Sequence, residues 1–207
     1  MSHLDIPTFA EDFDTLVLDI HGVVFNAPLQ RFLFDIGERT REGGSALRFR
    51  WKHELRLPFW EGRIDEAVLW RSIAPGMDVA ELRGELESRY TVGPLFSVVT
   101  DFPGSVWLLS NHHSPWLADR LSRFGITDRF EQVLVSDVLG AAKPDPRAFQ
   151  PVVDISHQRR VLFLDDQIQN IAAARSLGLC ARLVDPSGVV VTPSAGAGRH
   201  PRTERAS

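Results

Sequence analysis

The chain has 207 residues, enough for one domain or for one core with a modest insertion. Its 43% hydrophobic and 24% charged content is that of an ordinary soluble globular protein, and a net charge of −4 gives no electrostatic reason to expect nucleic acid or an anionic membrane as partner. A single cysteine, Cys180, excludes an intramolecular disulfide. It lies in an apolar stretch and reads as a small core residue of a protein kept in a reducing cytoplasm. No stretch has the length of a membrane span, and Met1-Ser2-His3-Leu4-Asp5 lacks the basic start and apolar core of a signal peptide.

The first element is an apolar, β-branched run, Thr15-Leu16-Val17-Leu18, the pattern of a buried parallel strand. It ends on Asp19, and Gly22 allows the backbone to turn out of the sheet. A carboxylate at the end of such a strand stands where open α/β folds bind ligands.

After Val24-Phe25 the strand pattern stops until Val106. Leu29, Phe32, Leu33 and Ile36 mark one apolar face at helical spacing. Ala46 to Leu57 is a second expected helix, ended by Pro58. Ile64–Ile73 is a third, with Asp65 and Glu66 near its start and Arg71 near its end in accord with the helix dipole. Val79–Tyr90 is a fourth. Arg48-Phe49-Arg50-Trp51-Lys52-His53 mixes cations and aromatics; at helical spacing Phe49 and Trp51 cannot share a face, so the cations read as a solvated side.

The alternation then resumes. Val106–Leu109 is an expected strand, and Pro115–Phe124 a helix with Pro115 in its first turn and Gly125 at its end. Gln132–Val135, Val161–Leu164 and Cys180–Val184 are further strands, separated by helices at Pro146–Ile155 and Gln169–Leu177. Strands alternating with helices imply a parallel sheet with right-handed crossovers. Residues 187–207 lack aromatics and are rich in Ser, Gly, Pro, Arg and Thr, the composition of a disordered tail.

Three later stretches can converge on Asp19: Ser110-Asn111, Lys143-Pro144 and Asp165-Asp166. Each follows or nearly follows an apolar run. Lys52 and Lys143 are the only lysines in an arginine-rich chain, which makes the placement of Lys143 among these stretches less accidental. Together they suggest a carboxylate nucleophile, a hydroxyl anchor, a cation and a pair of metal-binding acids.

In this order, Leu108-Leu109-Ser110-Asn111, Lys143-Pro144-Asp145 and Phe163-Leu164-Asp165-Asp166 resemble the later motifs of the haloacid dehalogenase superfamily, over roughly residues 14–185. The resemblance implies a Rossmann-like parallel sheet flanked by helices, with a small all-helical cap inserted after the first strand. That places the core at 1–25 and 93–186 and the cap at 26–92. It further implies a Mg²⁺-dependent hydrolase removing phosphate from a small phosphorylated metabolite, through an aspartyl-phosphate on Asp19. Ser110 and the backbone N–H of Asn111 would hold phosphoryl oxygens, and Lys143 would neutralise charge. Asp19, Asp165, Asp166 and the backbone carbonyl of His21 would ligate the metal. Asn170 stands where the family often has a further Asp.

The first motif departs from the phosphatase form: His21 occupies the position of a second Asp that protonates the leaving oxygen and then activates water. Imidazole, with an ordinary pKa near 6.5, can do both jobs. His112 and His113 would line the pocket entrance or a solvated loop. Two other readings are open: a metal-free 2-haloacid dehalogenase, whose enzymes also replace the second Asp but generally lack the paired acids, and a catalytically lost binding protein.

Overall fold

The computed structural model describes residues 12–191. Strand β1 (Thr15–Leu18) leads into five helices: α1 (Leu29–Arg39), α2 (Gly44–Arg50), α3 (Arg56–Trp60), α4 (Glu66–Ile73) and α5 (Val79–Ser88). Then come α6 (Phe96–Asp101), β2 (Ser105–Ser110), α7 (Ser114–Arg123), β3 (Gln132–Val135), the single turn α8 (Ser136–Leu139) and α9 (Pro146–Ser156). The chain closes with β4 (Val161–Asp165), α10 (Ile168–Ser176), β5 (Cys180–Val184) and β6 (Val190–Val191).

The strands form one sheet in the order β3-β2-β1-β4-β5-β6. The first five are parallel; β6 runs antiparallel to β5. The chain moves outward from β1 through β2 to β3, then returns to the other side of β1 with β4. The carboxyl ends of β1 and β4 therefore flank the point where strand order reverses, the place where open α/β sheets bind ligands. Register makes this specific: Leu18 pairs with both Leu108 and Leu164. Asp19 and Asp165, each the next residue along, emerge side by side.

Alternation along β1 divides its side chains between two layers. Leu16 and Leu18 belong to a large cluster that continues into the inserted helices through Leu47, Trp51 and Trp70. Val17 faces the other layer, with Trp107, Phe149, Phe163 and Ile171. The helical insert thus shares one continuous core with a face of the sheet. Its two connections run together: Phe25 bridges Val92, and the Asn26 side chain donates to the carbonyl of Arg89 and accepts from the N–H of Thr91.

Several details differ from the sequence expectations. The helix expected to stop at Pro58 runs on through it, because a π turn over Trp51–Leu55 precedes α3. Pro58 has no N–H to give to the preceding turn, and the wider winding just before it accommodates that loss. Helix α6 was not legible as a periodic segment. Cys180 is exposed rather than in the core: alternation along β5 buries Ala181 and turns its neighbour outward. The tail expected from residue 187 does not begin there, since Val190 and Val191 pair with β5; residues 192–207 lie outside the described residues. Among the described residues, no helix is long and apolar enough to cross a membrane.

Candidate active site

Lys143 is the centre of the site. Its ammonium donates to Asp19 Oδ1 at 2.6 Å, to Asp165 Oδ2 at 2.7 Å and to the carbonyl of Leu109 at 2.6 Å. All three of its protons are used, and its side chain is buried. The loop that presents it is fixed by Asn111: its amide donates to the Lys143 carbonyl and accepts from the Lys143 N–H, each at 2.7 Å. The expected role of Asn111 concerned its backbone N–H; its side chain has this second task of locking β2 to the lysine loop.

Asp165 is fully buried and saturated. Besides Lys143, it accepts from the Gln167 N–H at 2.8 Å, and Asn170 Nδ2 lies 3.0 Å from each of its oxygens. Asn170 therefore acts on the carboxylate as a donor. Asp166 is half-buried and accepts one bond, from Gln167 Nε2 at 2.9 Å, leaving it the freer acid. One oxygen from each of Asp19, Asp165 and Asp166 lies within 4.8 Å of the others.

Electrostatics show the strain of so many carboxyls. Burial pushes Asp19 up to about 7, with Lys143 opposing and Asp165 and Asp166 adding to the rise. Asp166 is also raised, by burial first. Burial works against the charged Lys143, but Asp165 and Asp19 outweigh it and hold the ammonium protonated. Fully ionised, three carboxylates against one ammonium leave two negative charges uncompensated. A hard divalent cation with oxygen ligands fits that donor set and that charge. The carbonyl of His21 accepts no hydrogen bond among the described residues and is a further candidate ligand. Ser110 Oγ is buried without a hydrogen-bond partner, an unusual state for a hydroxyl and suited to an incoming oxyanion.

His21 differs most from expectation. Its Nε2 lies 3.3 Å from Arg120 Nη1 and 3.1 Å from the Tyr90 hydroxyl. Arginine only donates, so Nε2 accepts and Nδ1 carries the proton. Burial lowers the imidazole to about 3, with the charges of Arg120 and Lys143 adding. The residue expected to give a proton as imidazolium is neutral. Behind it, fully buried Arg120 also donates to His112 Nε2 at 3.0 Å, lies 3.3 Å over the Tyr90 ring, and is paired bidentately with Glu87 of α5. Glu87 and Tyr90 come from the helical insert and Arg120 from α7, so this network ties insert to sheet beneath His21.

The two histidines that follow Asn111 are not at the mouth of the cavity. His112 is fully buried, its pKa well below the ordinary value by burial first, with the charge of Arg120 adding. Half-buried His113 bonds Asp137, which also accepts from the N–H and hydroxyl of Ser114 at the start of α7. Arg120 was not among the site residues expected from the sequence. Its signal was available: a charge at the apolar face of a helix, among Trp116, Leu117 and Leu121.

A cavity of about 350 Å³ opens over these groups. Asp19, His21, Asn111, Lys143 and Asp166 line its sheet side; Leu29, Gln30, Trp51, Arg56, Leu57 and Trp60 line it from the helical insert. Trp51 is buried and Phe49 is exposed, so the two aromatics of the mixed stretch do part, as their spacing requires.

Comparison with known proteins finds partial relatives in sequence and neighbours in fold. A phosphatase of Mycobacterium tuberculosis (strain CDC 1551 / Oshkosh), Phosphatase MT3486, is 43% identical over 63 residues, 30% of this chain and 29% of the relative. A phosphoglycolate phosphatase of Cereibacter sphaeroides (strain ATCC 17025 / ATH 2.4.3) is 28% identical over 113 residues, 48% of this chain and 51% of the relative. The chain thus matches about half or less of the length of these curated relatives. Among solved structures, a HAD family enzyme of Bacteroides thetaiotaomicron, bt-2542, superposes with a TM-score of 0.67 at 20% identity, covering 84% of this chain and 94% of that one. L-2-haloacid dehalogenase of Xanthobacter autotrophicus gives 0.57 at 20% identity, covering 83% and 77%. The model of the haloacid dehalogenase-like hydrolases matches residues 13–178, and the chain belongs to that family.

Proposed function

We propose that this hydrolase removes phosphate from a small phosphorylated metabolite, using Asp19 as nucleophile and Mg²⁺ as cofactor. The observation that carries the reading is the pairing of Asp19, through Lys143, with the buried Asp165 beside the freer Asp166. A carboxylate attacking carbon needs no such acidic group around it, whereas a dianionic phosphoryl group does need a cation to approach one. The two phosphatase relatives support the same choice, as do solved relatives of this fold in complex with magnesium and inorganic phosphate.

In the proposed reaction, an Asp19 oxygen attacks phosphorus and the P–O bond to the alcohol breaks, giving an aspartyl-phosphate. Water then attacks phosphorus, releasing phosphate and restoring Asp19. One water is consumed, its hydrogens divided between alcohol and phosphate. Asp19, Asp166, the His21 carbonyl and the nearby Asp165 would hold Mg²⁺, which would supply charge neutralisation for the phosphoryl oxygens. Ser110 donates to a phosphoryl oxygen through its unpartnered hydroxyl. The backbone N–H of Asn111 serves beside it. Lys143 stabilises charge as it shifts between Asp19 and the phosphoryl group. His21 enters neutral, so its part is narrower than acid and base: an imidazole held in place by Arg120 and Tyr90 orients the leaving oxygen and the water.

The deciding experiment is a screen of phosphate esters and 2-haloacids with Mg²⁺ or with EDTA. Phosphate release that needs Mg²⁺ and disappears in Asp19→Asn is the expected result. Halide release in EDTA would make the enzyme a dehalogenase, and no turnover of either class would make it a binding protein.

A further inference from the structure

The insert side of the cavity carries a cation that the chemistry above leaves unused. Trp51, Arg56 and Trp60 all line the cavity that contains Asp19. In an α-helix, residues five apart project about 140° away from one another. Here the π turn replaces that geometry: the N–H of Arg56 bonds to the carbonyl of Trp51, so Arg56 stacks one turn beyond it. Ordinary α spacing then returns Trp60, four residues later, to the same face. One extra residue in the winding thus puts Arg56 on the same cavity wall as Trp51 and Trp60, whose indoles meet edge to face with centroids 5.4 Å apart. π turns are rare and recur at functional sites.

The guanidinium is uncommitted. Arg39, Arg50, Arg83 and Arg89 of the same insert each pair with a carboxylate, whereas Arg56 is exposed and has no ion pair or side-chain hydrogen bond among the described residues. Lys143, the other permanent cation of the cavity, is fully occupied by Asp19, Asp165 and a carbonyl. The planar guanidinium is suited to bidentate capture of a carboxylate or phosphate.

Resting on the phosphatase reading, we infer that Arg56 selects phosphate monoesters bearing a second anionic group, a carboxylate or another phosphate, remote from the reacting one. A neutral polyol phosphate would leave this cation without a partner.

The test compares three substrates on one three-carbon skeleton: 3-phosphoglycerate, glycerol 1,3-bisphosphate and glycerol 3-phosphate. Wild type should favour one or both doubly anionic esters, and the better one names the second anion. In Arg56→Gln, kcat/KM for that ester relative to glycerol 3-phosphate should fall about ten- to hundredfold, the scale of one lost charge-assisted bond. Arg56→Lys should recover part of it. A ratio unchanged within threefold in Arg56→Gln, or a wild-type preference for glycerol 3-phosphate, overturns the proposal. Calorimetry of the same compounds on Asp19→Asn with Mg²⁺ reads Arg56 without turnover. If wild type hydrolyses no ester, the phosphatase reading fails, while Arg56-dependent binding in calorimetry still stands or falls by itself.

Discussion

A Cβ on Gly22 would stand 2.5 Å from Oδ2 of Asp166. Gly22 also has φ near +77°, a conformation other residues adopt only under strain. The turn leaving β1 and the freer acid after β4 are thus packed against each other with no room for a methyl group. Gly22→Ala should cost about 1–3 kcal/mol and displace Asp166. The expected outcome is a smaller Mg²⁺-induced rise in Tm and turnover at least about tenfold lower at low Mg²⁺. Thermal melts across a Mg²⁺ titration check it; an unchanged midpoint would separate Asp166 from metal binding.

Lys143→Met should be the most damaging single change in the site. It leaves Asp19 and Asp165 adjacent and buried without their common cation, a loss on the scale of about 3–5 kcal/mol for breaking a buried pair. Turnover should fall by about 10²–10³ or more. Added Mg²⁺ should restore part of the stability and little of the rate, because it replaces the charge and not the donor at Asp19. Denaturant melts with and without Mg²⁺ read the first part.

The pair between Arg120 and Glu87 should behave as a buried pair even though it joins two separate parts of the chain. Arg120→Met strands Glu87 and removes the donor to His21 and His112, so it should cost about 3–5 kcal/mol; Glu87→Gln should cost less. A double-mutant cycle should show coupling well above that of an exposed pair such as Arg160 with Asp14. Additive losses would mean the network does not hold insert and sheet together.

Acid should destabilise the fold through its buried histidines. His21 has a folded pKa of about 3 against an ordinary 6.5, because burial and the Arg120 and Lys143 charges disfavour the imidazolium. The unfolded chain therefore binds more protons between these values. The stabilisation is present above pH 6.5 and is lost as pH falls towards 3. His112 is shifted the same way. Asp19 runs opposite: with a folded value of about 7 against 3.8, its contribution is full below 3.8 and disappears as pH rises through 7. In an Asp19→Asn background, stability should fall from pH 7 to 5, and His112→Gln should flatten that slope. Chemical denaturation at each pH measures it.

The sequence by itself determined the strand-ending acids and their order. β1 and β4 fall where apolar runs lead into an acid, because a strand buried on both faces must be apolar along its length. The same logic placed Asp19, Ser110 and Asp165 at strand ends, and only a parallel sheet is needed to bring such ends to one side.

Tertiary structure decided everything that depends on angles about a helix or on charge felt through a dry interior. The π turn that brings Arg56 one turn beyond Trp51 is one inserted residue, and no periodicity announces it. Arg120 stood in plain view on the apolar face of α7, yet its partners Glu87, His21 and Tyr90 are 33, 99 and 30 residues away in the chain. That is why the sequence supplied an imidazole able to carry a proton, while the fold set a permanent cation beside it and keeps it neutral.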